Sequence, residues 1–246
     1  MKATALIPPK TTTPKQRLTA RLALLREEKK LTRLADRVAQ RRRKLPWVKL
    51  EKNYTFDSPR GKVTLAGLFG RHSQLLVQHF MLGPGWEEGC KSCSFMMDHF
   101  NPTVAHLQAR DVAFAAISHA PLKEILPFKK RMGWDVNWVS AHGTDFNQDF
   151  HVSFPPADVA KGKKVTYNFR QIEAPVEELP GISVFARDAA GNIYHTYSTY
   201  GRGVEVAMGT YHLLDLVPKG RDESALENGM EWVRHHDRYK HETAAR

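Results

Sequence analysis

The sequence predicts an α/β fold, and three observations carry that expectation. Short apolar runs of strand length occur at Leu75–Phe80, Val112–Ile117 and Asn137–Ser140. Helical patterns separate them, with Phe95, Met96, His99, Val104 and Leu107 on one apolar side and a second stretch from Pro121 to about Met132. A hairpin signal, Asp188-Ala189-Ala190-Gly191, then lies between Ile182–Phe185 and Ile193–Tyr197. Strand, helix, strand, helix, strand, hairpin and closing helix make an α/β layout.

The elements follow in order. Residues 1–14, rich in Pro, Thr and Lys, predict a disordered tail. Residues 15–45 predict a basic amphipathic helical arm, because Leu18, Leu22, Leu25, Leu31, Leu34 and Val38 recur among Arg, Lys and Glu. Pro46 disfavours helix just before it and closes the arm. The domain then runs over 46–220. It opens with a hairpin, Tyr54–Phe56 and Lys62–Leu65 around the turn Ser58-Pro59-Arg60-Gly61. Asn101-Pro102 should kink or break the helix that begins near Ser92. Residues 143–178, with Gly, Asp, Asn and paired prolines, read as an insertion of short elements. Gly209 to Leu216 should start the closing helix. Residues 221–246 read as a polar tail with Trp232 and Tyr239 as docking points.

Charge separates the arm from the body. The chain of 246 residues is 41% hydrophobic and 26% charged, with a net charge of +11, so it can bury a core. Residues 1–50 hold 15 Lys and Arg against 3 Asp and Glu, whereas the remainder is close to neutral. A nucleic-acid surface would carry that charge on the fold itself, so the arm reads as a solvated helix that packs on the domain or on another subunit. A homo-oligomer through this helix is one expectation. No apolar run reaches the length of a membrane span, and no signal-peptide pattern follows Lys2. The expected setting is cytoplasmic, with no membrane partner.

The two cysteines are three apart, Cys90-Lys91-Ser92-Cys93, between a strand with its Gly/Pro loop and a helix. A cysteine at a helix start meets unpaired N–H groups and the helix dipole, which favour the thiolate. Cys90 would attack a substrate disulfide, and Cys93, one turn further in, would resolve the mixed disulfide. Glu87 and Glu88 oppose the thiolate and Lys91 favours it.

Other readings stand beside this one. A zinc site needs two more ligands, and copper handling would use the two thiols and a histidine. Covalent haem attachment fails, because Ser94 stands where a His is required. Buried inert thiols on a non-catalytic scaffold remain open. His79, His99 and His119 read as core histidines, and Trp134 and Trp138 as core. Tyr197, Tyr200 and Arg202 read as surface packing. Gly201-Arg202-Gly203 lacks the context of a dinucleotide loop, so no cofactor is expected, and no metal.

The run Gly83-Pro84-Gly85-Trp86-Glu87-Glu88-Gly89-Cys90-Lys91-Ser92-Cys93-Ser94-Phe95 resembles the DUF899 family of thioredoxin-like proteins, predicted dithiol-disulfide oxidoreductases. Phe128–Trp134, His195–Tyr200 and Gly209–Asp215 share the resemblance, which covers about residues 15–223. It implies a thioredoxin-like fold, a central mixed sheet flanked by helices, with an N-terminal hairpin extension and a preceding helix. It implies Cys90 as attacking thiol and Cys93 as resolving thiol, with a protein or small-molecule thiol or disulfide as substrate. Trp86 would line the site. Pro180, just ahead of the strand Ile182–Phe185, would match a cis-proline facing the disulfide. Two departures from the wider superfamily stand out. Gly89, not Trp, precedes Cys90, and no Thr lies between Pro84 and Cys90 as a peroxiredoxin-like thiol peroxidase would have.

Overall fold

The computed structural model describes residues 11–239, and the chain divides into two compact units between Pro46 and Trp47. The first unit is α1 (Pro14–Arg43). The Thr13 hydroxyl accepts from the Gln16 N–H and the Gln16 side chain answers at the Thr13 N–H, a capping box that satisfies two otherwise unpaired donors. Pro14 sits in the first turn, where its missing N–H costs nothing. Arg41, Arg42 and Arg43 end the helix beside its partially negative terminus. Of the expected tail over 1–14, residues 1–10 lie outside the described residues, while Thr13 and Pro14 belong to the helix start.

The second unit opens with β1 (Val48–Lys49), the hairpin β2 (Thr55–Ser58) and β3 (Gly61–Thr64), and α2 (Leu65–Leu68). Its centre is β4 (Gln74–His79), α3 (Lys91–Phe100), α4 (Val104–Gln108), β5 (Val112–Ser118), α5 (Leu122–Arg131) and β6 (Asn137–Ser140). Pro102 ends α3 as the sequence predicts, in a 3₁₀ turn at Asn101–Thr103. The region read as an insertion holds α6 (Phe146–Asp149), α7 (Pro156–Ala160) and a separate hairpin, β7 (Lys164–Tyr167) and β8 (Arg170–Glu173). The hairpin β9 (Gly181–Arg187) and β10 (Ile193–Tyr200) then leads to α8 (Gly209–Leu214).

The main sheet runs β1-β10-β9-β4-β5-β6-β2-β3. Parallel β4, β5 and β6 join through helices, and β9 pairs antiparallel with β4. That mixed sheet, with a helix following β4 and an antiparallel hairpin on β4's other edge, is a thioredoxin-like fold. Along its central strands the side chains alternate between its faces. Ala113, Ala115 and Ile117 join Leu75, Val77, Phe146 and Phe185 in one core; Phe114 and Ala116 join Cys93, Met96, Phe128 and Trp138 in the other. Both faces are covered, which explains why the parallel strands read as continuous apolar runs.

Candidate active site

The C-terminal rim of the parallel strands holds the thiols. Backbone pairing continues beyond the strand ends: Ala120 N–H donates to Leu82 O at 2.8 Å, Ala141 N–H to Ser118 O at 2.8 Å, and Cys90 N–H to Met81 O at 3.0 Å. The loop between Met81 and Cys90 is thus closed on itself, tightened by Trp86 N–H to Gly83 O and pinned to α5 by Gly85 N–H to the Glu124 carboxylate. Cys90 is the N-cap of α3. Gly89 precedes it for a steric reason: a Cβ there would lie 2.6 Å from ring carbons of both Phe80 and Phe128. A Trp cannot occupy that place.

The two thiols differ. Cys90 is partly exposed and Cys93 is buried, both as free thiols. The Cys90 pKa is lowered to about 6, chiefly by the hydrogen bond from the Cys93 thiol, against desolvation, with the Cys93 and Ser92 N–H groups and the Ser92 hydroxyl adding to it. Cys93 is pushed well up by the Cys90 thiolate and by burial, while its Sγ accepts from Met81 N–H at 3.5 Å. Hydrogen bonds therefore lead in stabilising the thiolate. The opposing carboxylate of Glu88 is engaged elsewhere, with the Arg131 and Arg238 guanidinium groups.

A cleft of about 580 Å³ opens at Cys90, lined by the apolar side chains of Met81, Trp86, Val176, Met230 and Val233 and by the polar ones of Glu88, Lys91, Glu231 and His235. Trp86 is one of the residues that line this cleft together with Cys90. Pro180 does not line this cleft, and the cis bond expected before it is absent: all peptide bonds among the described residues are trans. The chain is anchored on both sides of that bond, by Leu179 N–H to Val152 O and by the Tyr167 hydroxyl to Pro180 O, each at 2.8 Å, as it extends into β9. With the course already extended, the lower-energy trans form suffices. Val176, four residues earlier, supplies the wall instead.

The segment 221–239, expected as a polar tail, packs beside the thiols. Glu223 accepts from the Tyr211 hydroxyl, Met230 N–H and Trp232 Nε1–H, folding the segment back on itself. Trp232 meets Phe95 edge-on, so its docking role is as expected, whereas the Tyr239 hydroxyl accepts from Arg234 N–H within the segment. Buried His235 donates from Nε2 to the Gly89 carbonyl, leaving Nδ1 to accept from Arg131 at 3.3 Å. Arg131 also grips the Asp237 carboxylate with Nε and Nη2.

Sequence reasoning does not single out Arg131, His235, Val176 or Glu178. Arg131 lies inside the Phe128–Trp134 string; aromatic and apolar residues at Trp232 and Val233 are the only local hint of docking near His235. Of the other histidines, His79 is buried, hydrogen-bonded to the Ser183 hydroxyl and lowered to about 3 by desolvation, a neutral core residue as expected. His99 bonds Phe95 O and Thr210. Trp134 and Trp138 are core, and Tyr200 is buried with its hydroxyl on Phe150 O. His119 differs: it pairs with buried Glu178. Among the described residues no group of three or more His, Cys, Asp or Glu side chains could hold a metal ion, and no helix is long and apolar enough to cross a membrane.

The model of a family described as a bacterial protein of unknown function, DUF899, matches residues 7–239. No curated protein matches the chain. Among solved structures, the chain is similar to the peroxidoxin BcpB of Mycobacterium tuberculosis at 14% identity and TM-score 0.40, over 68% of this chain and 94% of that one. It is similar to a cysteine-to-serine mutant of PrxQ from Xylella fastidiosa at 12% identity and TM-score 0.43, with the same coverages. It is also similar to a putative protein disulfide isomerase from Bacteroides thetaiotaomicron, at 16% identity and TM-score 0.39, over 73% and 97%.

Proposed function

The chain belongs to the DUF899 family of bacterial proteins, and from that premise we propose that it is a dithiol–disulfide oxidoreductase. One observation carries the reading. A partly exposed thiol at a helix start is ionised near neutral pH, and a buried thiol that stays protonated stands behind it.

The roles follow from that asymmetry. The Cys90 thiolate attacks a substrate disulfide, forming a Cys90–substrate bond as the substrate S–S bond breaks and one thiolate departs. Cys93 loses its proton and attacks Cys90 Sγ, closing the Cys90–Cys93 disulfide and releasing the second thiolate. The protein dithiol is oxidised and the substrate disulfide reduced by the same two electrons. The apolar side chains of the cleft, Trp86 and Val176 among them, favour a substrate with an apolar group beside its disulfide.

Trapping tests this directly. Cys93→Ser should accumulate a mixed disulfide through Cys90, recovered without reductant and identified by mass. Cys90→Ser should trap nothing and should lose dithiol activity. Retained activity in Cys90→Ser would overturn the assignment.

A further inference from the structure

The rim that carries Cys90 carries a second reactive side chain. His119 follows β5 directly. Its neighbour Ala120 pairs with Leu82, and Cys90 pairs with Met81, so the Cys90 loop, the extension of β4 and the His119 segment lie side by side. Two strand spacings, roughly 10 Å, separate the backbones of Cys90 and His119. Trp86 and Glu178 both lie against Gly83, in the loop that leads to Cys90. A Cβ on Gly83 would lie 3.0 Å from the Trp86 indole nitrogen and 3.4 Å from the Glu178 Cγ, so both side chains crowd onto one glycine. Trp86 also walls the thiol cleft, as does Val176, two residues before Glu178.

Glu178 is 2% exposed, and its carboxylate accepts from the Ser153 hydroxyl at 2.5 Å and from His119 Nδ1 at 2.8 Å. A carboxylate so buried requires a paired cation or donors on both oxygens. His119 supplies one, which fixes its Nδ1–H on Glu178 and leaves Nε2 without a partner among the described residues. The His119 side chain is 27% exposed, so this free nitrogen belongs to an accessible ring. The titratable groups facing it are Glu178, from the β8–β9 connection, and His142, from beyond β6, with ring centroids 6.0 Å apart.

We propose that His119, oriented by Glu178, is the general acid of the dithiol reaction and protonates the sulfur that leaves when Cys90 attacks. The inference rests on the oxidoreductase reading above. As the Cys90–substrate bond forms, the substrate S–S bond breaks with its electron pair on the departing sulfur. That sulfur takes the Nε2 proton, and neutral imidazole remains hydrogen-bonded to Glu178. Cys93 then gives up its thiol proton to water as it closes the disulfide, and His119 regains a proton from water. The net change is one dithiol monoanion and one disulfide giving one protein disulfide, one thiol and one thiolate.

Leaving-group acidity separates this role from a structural one. An alkyl thiol with a pKa of roughly 8.5 needs the proton at neutral pH, whereas an aromatic nitrothiobenzoate leaves readily as the anion. With hydroxyethyl disulfide, His119→Gln should lose about 100-fold in rate, while the nitrothiobenzoate disulfide changes by less than about twofold. The wild-type rate with the alkyl disulfide should rise through about pH 6 as Cys90 ionises and fall again as His119, raised by Glu178, deprotonates. The variant should lose that falling limb. The double variant His119→Gln/Glu178→Gln removes the buried carboxyl group as well and should show the same selectivity. Equal losses on both disulfides, or an unchanged alkyl rate, overturns the inference while leaving the oxidoreductase reading standing. A wild type that reduces neither disulfide overturns both.

Discussion

The Nε2–H of His235 donates to the carbonyl of Gly89 at 2.8 Å, joining positions 146 residues apart at the peptide unit that immediately precedes Cys90. The other ring nitrogen meets Arg131, which also grips Glu88 and Asp237. The C-terminal segment is thereby part of the thiol site, because the group it holds belongs to the peptide unit that leads into Cys90, the N-cap of α3.

Removing that contact should loosen the site more than the fold. His235→Ala leaves the Gly89 carbonyl without its donor and opens space beside Phe128, whose ring lies 5.3 Å from the imidazole. A loss of about 1–3 kcal/mol is expected from the lost hydrogen bond. Urea unfolding measures it. Hydrogen exchange over 230–238 and the alkylation rate of Cys90 should both rise in the variant. Unchanged exchange would show that the segment is held by Trp232 and Glu223 alone.

The donors to the Cys90 thiolate are unequal. The Cys93 thiol is the largest cause of the lowered pKa and the Ser92 hydroxyl a lesser one. Cys93→Ala should therefore raise the Cys90 pKa from about 6 toward the ordinary thiol range, and Ser92→Ala should raise it less. Alkylation rates across pH report both midpoints. The reverse order would assign the thiolate to the helix start rather than to its partner thiol.

Much of this arrangement is legible in the sequence, for identifiable reasons. The strands at 74–79 and 112–118 announce themselves because both sheet faces are covered. Pro102 ends α3 and Asp188–Gly191 turns the hairpin because their backbone preferences are local. What escapes local reading is what depends on distant partners. The bond before Pro180 is trans because Val152 and Tyr167 hold the chain extended there, and neither is near it in sequence. The His119–Glu178 pair spans 59 positions, and nothing around Glu178 marks it as buried. His235 sits in a polar stretch without periodicity, so its docking onto Gly89 has no sequence signal of its own.

Gly89 supplies a prediction of the opposite kind, from too much volume rather than too little. Its missing side chain leaves room for Phe80 and Phe128, and a methyl group would meet both rings at 2.6 Å. Buried aromatic edges at that distance must move, and the rings also contact Trp134 and Trp138. Gly89→Ala should cost about 1–3 kcal/mol by overpacking. The thermal midpoint should fall, and the Cys90 pKa should rise as the N-cap is displaced. A variant as stable as the wild type would mean that the loop can shift outward without strain.

The thiol pair should also write itself into the stability of the reduced protein. Cys90 has a folded pKa of about 6, below the ordinary thiol value near 9.0. Between those two values the unfolded chain binds a proton at this position that the native protein has released. Stability therefore rises with pH across that window, and the contribution is lost as pH falls through about 6. Cys93 acts in the opposite sense above it. Its folded pKa lies well above 9.0, so the native state keeps a proton that the unfolded chain loses, and stability declines again. Subtracting the curve of Cys90→Ser/Cys93→Ser from that of the reduced wild type isolates both effects from other titrating groups. The difference should climb from about pH 6, peak near pH 9 and then fall. A flat difference would show that Cys90 titrates as an ordinary thiol, and the nucleophile assignment would lose its electrostatic basis.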